Sequence, residues 1–500
     1  MKKLLTLFLA AVLLLSALPF AGAAFKDEGF IAEEYTRAVA EMSEQGIING
    51  FEDGSFGPKK TLTRAQAAKI LCVMLEGAEK ANALTKTETG FSDVPATHWA
   101  AKFVAYCVEK GIVAGVGDGK FDPDGKLSSA AFAKMLLVAI GTDGETFTGA
   151  DWLQNVQAAA EKTILLYNLG DKVTTGSMER QKAAQMAFNA KFQQEANADK
   201  AKGDPRTMPL EVPETIKLFV IGHSYGNDCT VAYLWQSLRN LGVKNVTIGT
   251  LYYSGCRLRQ HTDFILQNKA VYKYYKNTEG KLVTTTKTTF DKSINDEDWT
   301  HIMILSGDGH PDEFEPIRWQ DYVIAYVRRT HPNAYLGYDM TWAYRADGNH
   351  SPSMKKSMDK YYGGDRMKMW QSLIDTTKNY GEGDARFKFV VPAGTTVMNA
   401  HTSFLGDSIY RDTTSHLNKG VGRYMAAMTV ACTLTGTTPD QISYVPDAIV
   451  DRNEKGFEIA GVDRTKPGVR EALEKVAKES VRNALAKPYE ITQSQYTTAP

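Results

Sequence analysis

Apolar and polar positions divide the chain into three regimes. The residues from Leu4 to Leu18 are apolar almost without a break. From Phe25 to about residue 192, apolar residues recur at helical intervals, as in Tyr35, Ala38, Val39 and Met42, and this spacing predicts amphipathic helices. Residues 193–214 lose that periodicity, are rich in Lys, Asp, Glu, Ala and Pro, and read as a linker. Beyond them, short apolar runs at 217–221, 246–248, 302–305, 335–337 and 387–391 predict buried strands. Helical stretches lie between these runs, among them 228–241 and a final one at 420–433. Strands alternating with helices predict a three-layer α/β domain over residues 215–440, built on a central parallel sheet with right-handed crossovers. The tail, 441–500, holds one further predicted helix at 469–485 and no readable role.

The first apolar run follows Met1-Lys2-Lys3 and ends at Ala21-Gly22-Ala23. A basic start, an apolar core and a small-residue site make residues 1–23 a secretory signal peptide. The run is shorter than the ~20 residues a membrane span requires, and no later segment is apolar for long enough, so an exported chain not held by lipid is expected. Lys plus Arg and Asp plus Glu are equal at 58 each, so bulk charge does not favour nucleic acid. Cys72, Cys107, Cys229, Cys256 and Cys432 are too few and odd in number for a disulfide framework and are expected as buried thiols. No metal-binding or nucleotide-binding motif is present, so no metal or other cofactor is expected.

The helical region is internally repeated. Gly46-Ile47-Ile48-Asn49-Gly50 recurs as Gly111-Ile112-Val113-Ala114-Gly115, Asp53-Gly54-Ser55-Phe56 as Asp118-Gly119-Lys120-Phe121, and Leu62-Thr63-Arg64 as Leu127-Ser128-Ser129. All three pairs have one spacing, which duplication explains. The units span 25–76 and 91–142, each a helix, a loop and a helix. Thr63 with Gln66 forms a predicted capping box for the second helix, and Ser128 is the matching cap. A third, eroded unit at 147–192 places Trp152 where Trp99 and Tyr35 stand, and Met178-Glu179-Arg180 where Leu62-Thr63-Arg64 stands. These residues resemble S-layer homology (SLH) domains. The resemblance implies an all-α pseudo-trimer at the cell surface that binds cell-wall secondary polysaccharide or peptidoglycan. It makes Arg64 a ligand of an acidic sugar, since a guanidinium can hold a carboxylate bidentately, and Arg180 a second candidate. Ser129 takes that place in the second unit. Arg64 is otherwise a solvated arginine at a helix start, and Trp99 and Trp152 are either glycan contacts or core residues.

In the second domain, Gly222-His223-Ser224 follows the first strand, where ligands of parallel sheets bind. Ser224 is thus placed as a nucleophile, and it requires a base. His416 follows Asp412 just before the final helical stretch; His350 follows Asp347. Gly222-His223-Ser224-Tyr225-Gly226 also fits the nucleophile elbow of α/β-hydrolases, which normally follows several earlier strands. Together with Gly255 after the second strand and Asp412/His416 near the end, Gly222-His223-Ser224 resembles the SGNH (GDSL-like) hydrolase superfamily, closest to a poorly characterised bacterial branch. That resemblance implies a flavodoxin-like fold and a serine esterase. Ser224 is then the nucleophile, His416 the base and Asp412 its orienting acid, with Asp347/His350 the alternative pair. The backbone N–H groups of Ser224 and Gly255 form the oxyanion hole. Asp412 and His416 stand one residue further apart than the family's pair, and Leu305-Ser306-Gly307-Asp308-Gly309-His310 lacks the family's third-block amide. The expected activity is hydrolysis of esters, such as acyl groups on glycans. The alternative is a non-catalytic surface-layer or glycan-binding protein on a degenerate hydrolase fold.

Overall fold

A computed structural model describes residues 25–305, 316–450, 462–463 and 466–500. The signal peptide and the stretch from Ser306 to His310 lie outside the described residues. The chain forms two compact units that divide between Asn197 and Ala198.

The first unit contains helices α1 (Thr36–Glu44), α2 (Arg64–Glu76), α3 (Ala101–Glu109), α4 (Ser129–Ala139), α5 (Trp152–Glu161) and most of α6 (Arg180–Lys202), whose last residues from Ala198 belong to the second. Thr63 and Gln66 form the reciprocal capping box at the start of α2, and Ser128 Oγ caps α4 by accepting from Ala131 N at 3.1 Å. Three equivalent residues tie the repeats together. Leu62 N donates to Met178 O, Met178 N to Leu127 O, and Leu127 N to Leu62 O, each at 2.9 Å. All three side chains are buried. This closed ring satisfies backbone groups that burial would otherwise orphan. It gives the predicted pseudo-trimer a threefold centre that includes the eroded third unit. Helix α6 takes in residues 193–202, so the predicted linker is helical in its first half. Apolar periodicity is weak there, yet Ala196 is buried.

The second unit is built on a seven-stranded sheet. Its strands are β1 (Thr215–Gly222), β2 (Asn245–Tyr252), β3 (Tyr272–Thr278), β4 (Lys281–Thr288), β5 (His301–Leu305), β6 (Tyr335–Asp339) and β7 (Phe387–Val391). Their order is β4-β3-β2-β1-β5-β6-β7. Strands β2, β1, β5, β6 and β7 run parallel, whereas β3 pairs antiparallel with both β2 and β4. The sheet is therefore mixed, a correction to the parallel sheet expected. The added hairpin turns at Glu279-Gly280, both with positive φ (55° and 77°), as a two-residue type I′ turn requires. Its β4 is an edge strand with only Thr288 buried, so the apolar run that marks the other strands is missing.

Helices α7 (Ser224–Thr230) and α8 (Leu234–Asn240) follow β1, α9 (Leu258–Leu266) follows β2 and α10 (Pro316–Thr330) follows β5. Between β6 and β7 lie α11 (Pro352–Tyr362) and α12 (Arg366–Thr376); α13 (Ala393–His401), α14 (Val421–Thr435) and α15 (Val469–Ala486) close the chain. Val397, Met425 and Leu473 bring the last three helices into one core with β1 and β2. Tail backbone reaches the same core, with Phe404 N donating to Tyr496 O at 2.9 Å and Thr492 N to Asn399 Oδ1 at 2.7 Å. The segment read as an extension is an integral layer of this unit. All five cysteines are buried thiols, and among the described residues no helix is long and apolar enough to cross a membrane.

An ionic cluster lies at the opposite end of the sheet from Ser224. Arg386, at 1% side-chain exposure, meets Asp384 at 2.6 Å, Asp199 at 3.3 Å and Asp321. Asp204 meets Arg206 at 2.6 Å and Arg328 at 3.0 Å. Burial pushes the Asp204 and Asp384 carboxyls up, but the hydrogen bonds and charges of Arg206 and Arg386 outweigh it and hold both below the usual carboxylate range. Removing the arginine takes the buried partner from three carboxylates and leaves Asp321 with Lys200 and Asp199 with Arg328, so Arg386→Met should cost about 3–5 kcal/mol in urea unfolding of the second unit at pH 7; a loss below about 1 kcal/mol would refute this role. Carboxylates with depressed folded values stabilise the fold above their unfolded pKa of about 4 and lose that contribution as pH falls through the folded value. The gap between wild type and Arg386→Met should therefore narrow from pH 5 towards pH 2, and a pH-independent gap would contradict the assignment.

Candidate functional site

In the parallel part of the sheet the order is second, first, third, fourth, fifth, so the chain reverses direction beside β1, between β1 and β5. Crevices at such points lie outside the carboxyl ends of the strands. Ser224 opens α7 two residues after β1 ends at Gly222. A Cβ on Gly222 or Gly226 would come within 2.9 Å or 3.2 Å of the Leu305 side chain, so both glycines are needed for α7 to sit down on the end of β5. That close packing, rather than a strained elbow, accounts for the Gly-x-Ser-x-Gly spacing, because Ser224 is absent from the residues with positive φ.

The buried carboxylate of Asp228, four residues on and so on the same face of α7, organises the site. Its Oδ2 lies 3.1 Å from His416 Nδ1 and accepts from Leu417 N at 2.9 Å, while its Oδ1 pairs with Arg423 Nη2 at 2.6 Å. It is 1% exposed. Asp412, expected to orient His416, does not meet the imidazole. Its Oδ1 accepts from Thr414 N, Thr414 Oγ1 and His416 N at 3.0, 2.5 and 3.3 Å, and its Oδ2 pairs with Arg411 at 3.2 Å. Burial pushes its carboxyl up, but those hydrogen bonds leave it below the ordinary range. Asp412 therefore shapes the loop that carries His416, and Asp228 takes the ring nitrogen. Sequence spacing favoured Asp412 because it is near His416 along the chain; Asp228 is 188 residues away.

The His416 loop is clamped from two sides. Tyr225 stacks on Trp342 at 4.3 Å, meets His416 edge-on at 5.4 Å and donates its hydroxyl to Thr414 O at 3.0 Å. Trp342 Nε1 donates to Ser415 O at 2.9 Å. Such amphipathic aromatics fix a loop through both faces and polar tips. The alternative pair is not assembled. The Asp347 carboxylate is held by Arg345 and Asn349 N, while His350 Nδ1 is buried without a partner among the described residues. Burial depresses the His350 pKa. Gly255 lies just beyond β2 with φ of 60° and open space around it. Cys256, next to it, is buried, and burial pushes its thiol well up, away from nucleophilic use.

The first unit carries two equivalent grooves. One, of about 160 Å³, is lined by Ile48, Gly50, Phe51, Lys69, Trp99 and Arg180. The other, of about 410 Å³, is lined by Arg64, Val113, Gly115, Lys134, Phe147 and Trp152. Each groove thus draws its glycine loop from one repeat and its arginine and tryptophan from the other two. Arg64 Nη2 donates to Ala114 O at 2.8 Å and its Nε to Phe121 O at 2.7 Å. Arg180 Nη2 donates to Asn49 O at 2.8 Å and its Nε to Phe56 O at 3.0 Å. Both arginines are therefore staples between repeats as well as groove walls, not solvated side chains. Burial pulls the Arg180 pKa down to about 10, and burial with the nearby Arg180 charge lowers that of Lys69. Among the described residues that line the grooves, none is acidic. Trp99 is 54% exposed, so it is a groove residue and not core. Ser129, at the third arginine position, instead accepts from Thr174 N at 2.8 Å and donates to Thr174 O at 3.1 Å. The missing arginine therefore falls on the third repeat's loop, not the second's.

The S-layer homology domain family matches residues 24–68 and 90–133, and the family described as "Domain of unknown function (DUF4886)" matches residues 217–462. Among curated proteins, the chain is 34% identical over 179 residues to an S-layer protein of Bacillus licheniformis, covering 34% of this chain and 20% of that protein. It is 31% identical over 171 residues to a cell surface protein of Thermoanaerobacter kivui, covering 34% and 22%. It is 33% identical over 105 residues to a cellulosome-anchoring protein of Acetivibrio thermocellus, covering 21% and 23%. The chain thus spans less than a quarter of the length of these relatives. A crystal structure of a DUF4886 family protein from Bacteroides uniformis is similar at 28% identity and a TM-score of 0.48, covering 57% of this chain and 100% of that one. The repeats and these relatives make the chain a cell-surface protein with S-layer homology repeats, located at the cell wall, with a C-terminal domain that matches DUF4886.

Proposed function

We propose that the second unit is a serine esterase in which Ser224 is the nucleophile, His416 the base and Asp228 the group that orients the imidazole. The observation that carries this reading is the contact of His416 Nδ1 with a buried carboxylate one helical turn from Ser224. With Nδ1 turned to Asp228, Nε2 is the nitrogen left for a hydroxyl proton. Ser224 Oγ attacks the ester carbonyl carbon as its proton passes to Nε2. The carbon–oxygen bond to the leaving group then breaks, and that oxygen takes the proton from His416. Water, deprotonated by the same nitrogen, attacks the acyl carbon; the bond to Ser224 Oγ then breaks, Oγ takes the proton back from His416, and the acid is released. The Asp228 carboxylate accepts from Nδ1 of the imidazolium formed at each step, and Arg423 pairs with its other oxygen. The location at the cell wall makes acylated glycans the proposed substrates.

We infer further that the first unit binds an acidic cell-wall polysaccharide through its two cationic grooves. A guanidinium or ammonium beside an exposed indole suits a sugar that carries a carboxylate, the cation for charge and the ring for the apolar sugar face. The absence of acidic lining residues supports an anionic ligand.

On a panel of short acyl esters, Ser224→Ala should abolish turnover, and Asp228→Asn should lower kcat by about 10³–10⁴, as loss of the orienting acid does elsewhere. Asp412→Ala should stay within about tenfold of wild type, since its part is in the loop. Absence of Ser224-dependent turnover would reject the esterase and favour a glycan-binding domain; equal losses in the two aspartate variants would return the orienting role to Asp412. For anchoring, the full-length double variant Trp99→Ala/Arg64→Gln, checked for an unchanged melting temperature, should sediment with purified cell walls at least about tenfold less than wild type, the order expected of losing charge-assisted hydrogen bonds. Wild-type sedimentation by that variant would reject the grooves as the binding sites.

A further inference from the structure

An ester hydrolase requires donors aimed at the oxygen that becomes negative, and these belong on the side of the nucleophile away from its base. Ser224 and Gly255 offer only backbone N–H groups. Helix α7 presents one more group beside Ser224. At 3.6 residues per turn, Asn227 and Asp228 project about 60° and 40° to opposite sides of Ser224, and Tyr225 falls on the Asp228 side. Tyr225 and Asp228 are the residues that touch His416. Asn227 therefore lies on the flank of Ser224 that faces away from the base. Its side chain leans back towards the start of the helix, as helical side chains do.

Asn227 is also the amide in this helix whose hydrogen bonds are unmade. Its Oδ1 is buried and has no hydrogen-bond partner among the described residues, while its backbone carbonyl is used by Val231 N at 3.1 Å. The residue is partly exposed, as Ser224 is, so it does not lie wholly in the core. A buried amide left unpaired costs stability unless a ligand completes it. Its Nδ2 makes no hydrogen bond among the described residues and, unlike Oδ1, is not closed off from solvent, so the donor end of the amide is the one open to a ligand.

We propose that Asn227 is a catalytic residue that supplies the side-chain amide of the oxyanion hole, donating from Nδ2 to the carbonyl oxygen of the ester as it becomes an oxyanion. The proposal rests on the esterase reading of Ser224 and His416. It gives the site a donor from the nucleophile's own helix in place of one from a separate strand.

The test uses the full-length protein and a short acyl ester that wild type turns over in a Ser224-dependent way. Asn227→Ala and the near-isosteric Asn227→Asp are compared with wild type for kcat and KM separately, and for the affinity of an arylboronic acid, whose serine adduct carries the negative oxygen. Loss of one such donor lowers kcat by about 10²–10³. We expect that drop with KM changed less than about threefold, and a matching loss of boronate affinity, with Asp no better than Ala because a carboxylate repels the oxyanion. A residue with a merely structural part would lower stability and raise KM without a selective loss of boronate affinity. Either variant retaining kcat within threefold of wild type, while Ser224→Ala is inactive, overturns the role of Asn227 and leaves the esterase standing. Absence of Ser224-dependent turnover in wild type overturns both.

Discussion

Asp228 holds the second unit's site together. It is buried on the helix that begins with Ser224, and it binds a histidine ring nitrogen, a backbone N–H and an arginine that all come from one segment near the end of the domain. A carboxylate in that setting is tolerated only when fully paired. Its need for partners therefore fixes the path of the His416 loop, and Tyr225 and Trp342 then brace the loop by stacking and by hydrogen bonds to two of its carbonyls. The tail helix α15 stands behind this arrangement, since it packs on α14, the helix that carries Arg423.

The first unit depends on a different constraint, closure. Three short backbone hydrogen bonds join Leu62, Leu127 and Met178 in a ring, so no repeat completes its buried polar groups alone. Closure also explains why each groove is shared. An arginine at the start of one repeat's second helix reaches carbonyls of another repeat, as Arg64 reaches Ala114 and Arg180 reaches Asn49. Counting motifs repeat by repeat assigns the loss at Ser129 to the wrong groove, because the residue and the groove it would serve lie in different repeats.

The two units place a proposed anionic-glycan surface and a proposed ester-cleaving site on one chain at the cell wall. The chemistry of each is set by what lines it: cations and indoles without acids among the described residues of the grooves, and a buried acid that holds a histidine from the helix that Ser224 opens. Gly222 and Gly226 link packing to chemistry, since side chains there would push α7 off Leu305 and move Ser224 with it.

Local features of the sequence were sufficient for much of this. The duplication, the Thr63 and Ser128 caps, five of the seven strands, and Ser224 after β1 are written in periodicity, turn residues and spacing, because each arises from interactions a few residues apart. The β3–β4 hairpin escaped that reading because an edge strand facing water has no apolar pattern to show, and the first half of the linker because its helix lacks a regular apolar face. Which acid meets His416, which repeat uses Arg64, and which amide stands beside Ser224 away from the base were decided by tertiary structure alone. A side-chain hydrogen bond is satisfied by whichever group the fold brings within about 3 Å, and chain proximity, which favoured Asp412 over Asp228, does not enter that distance.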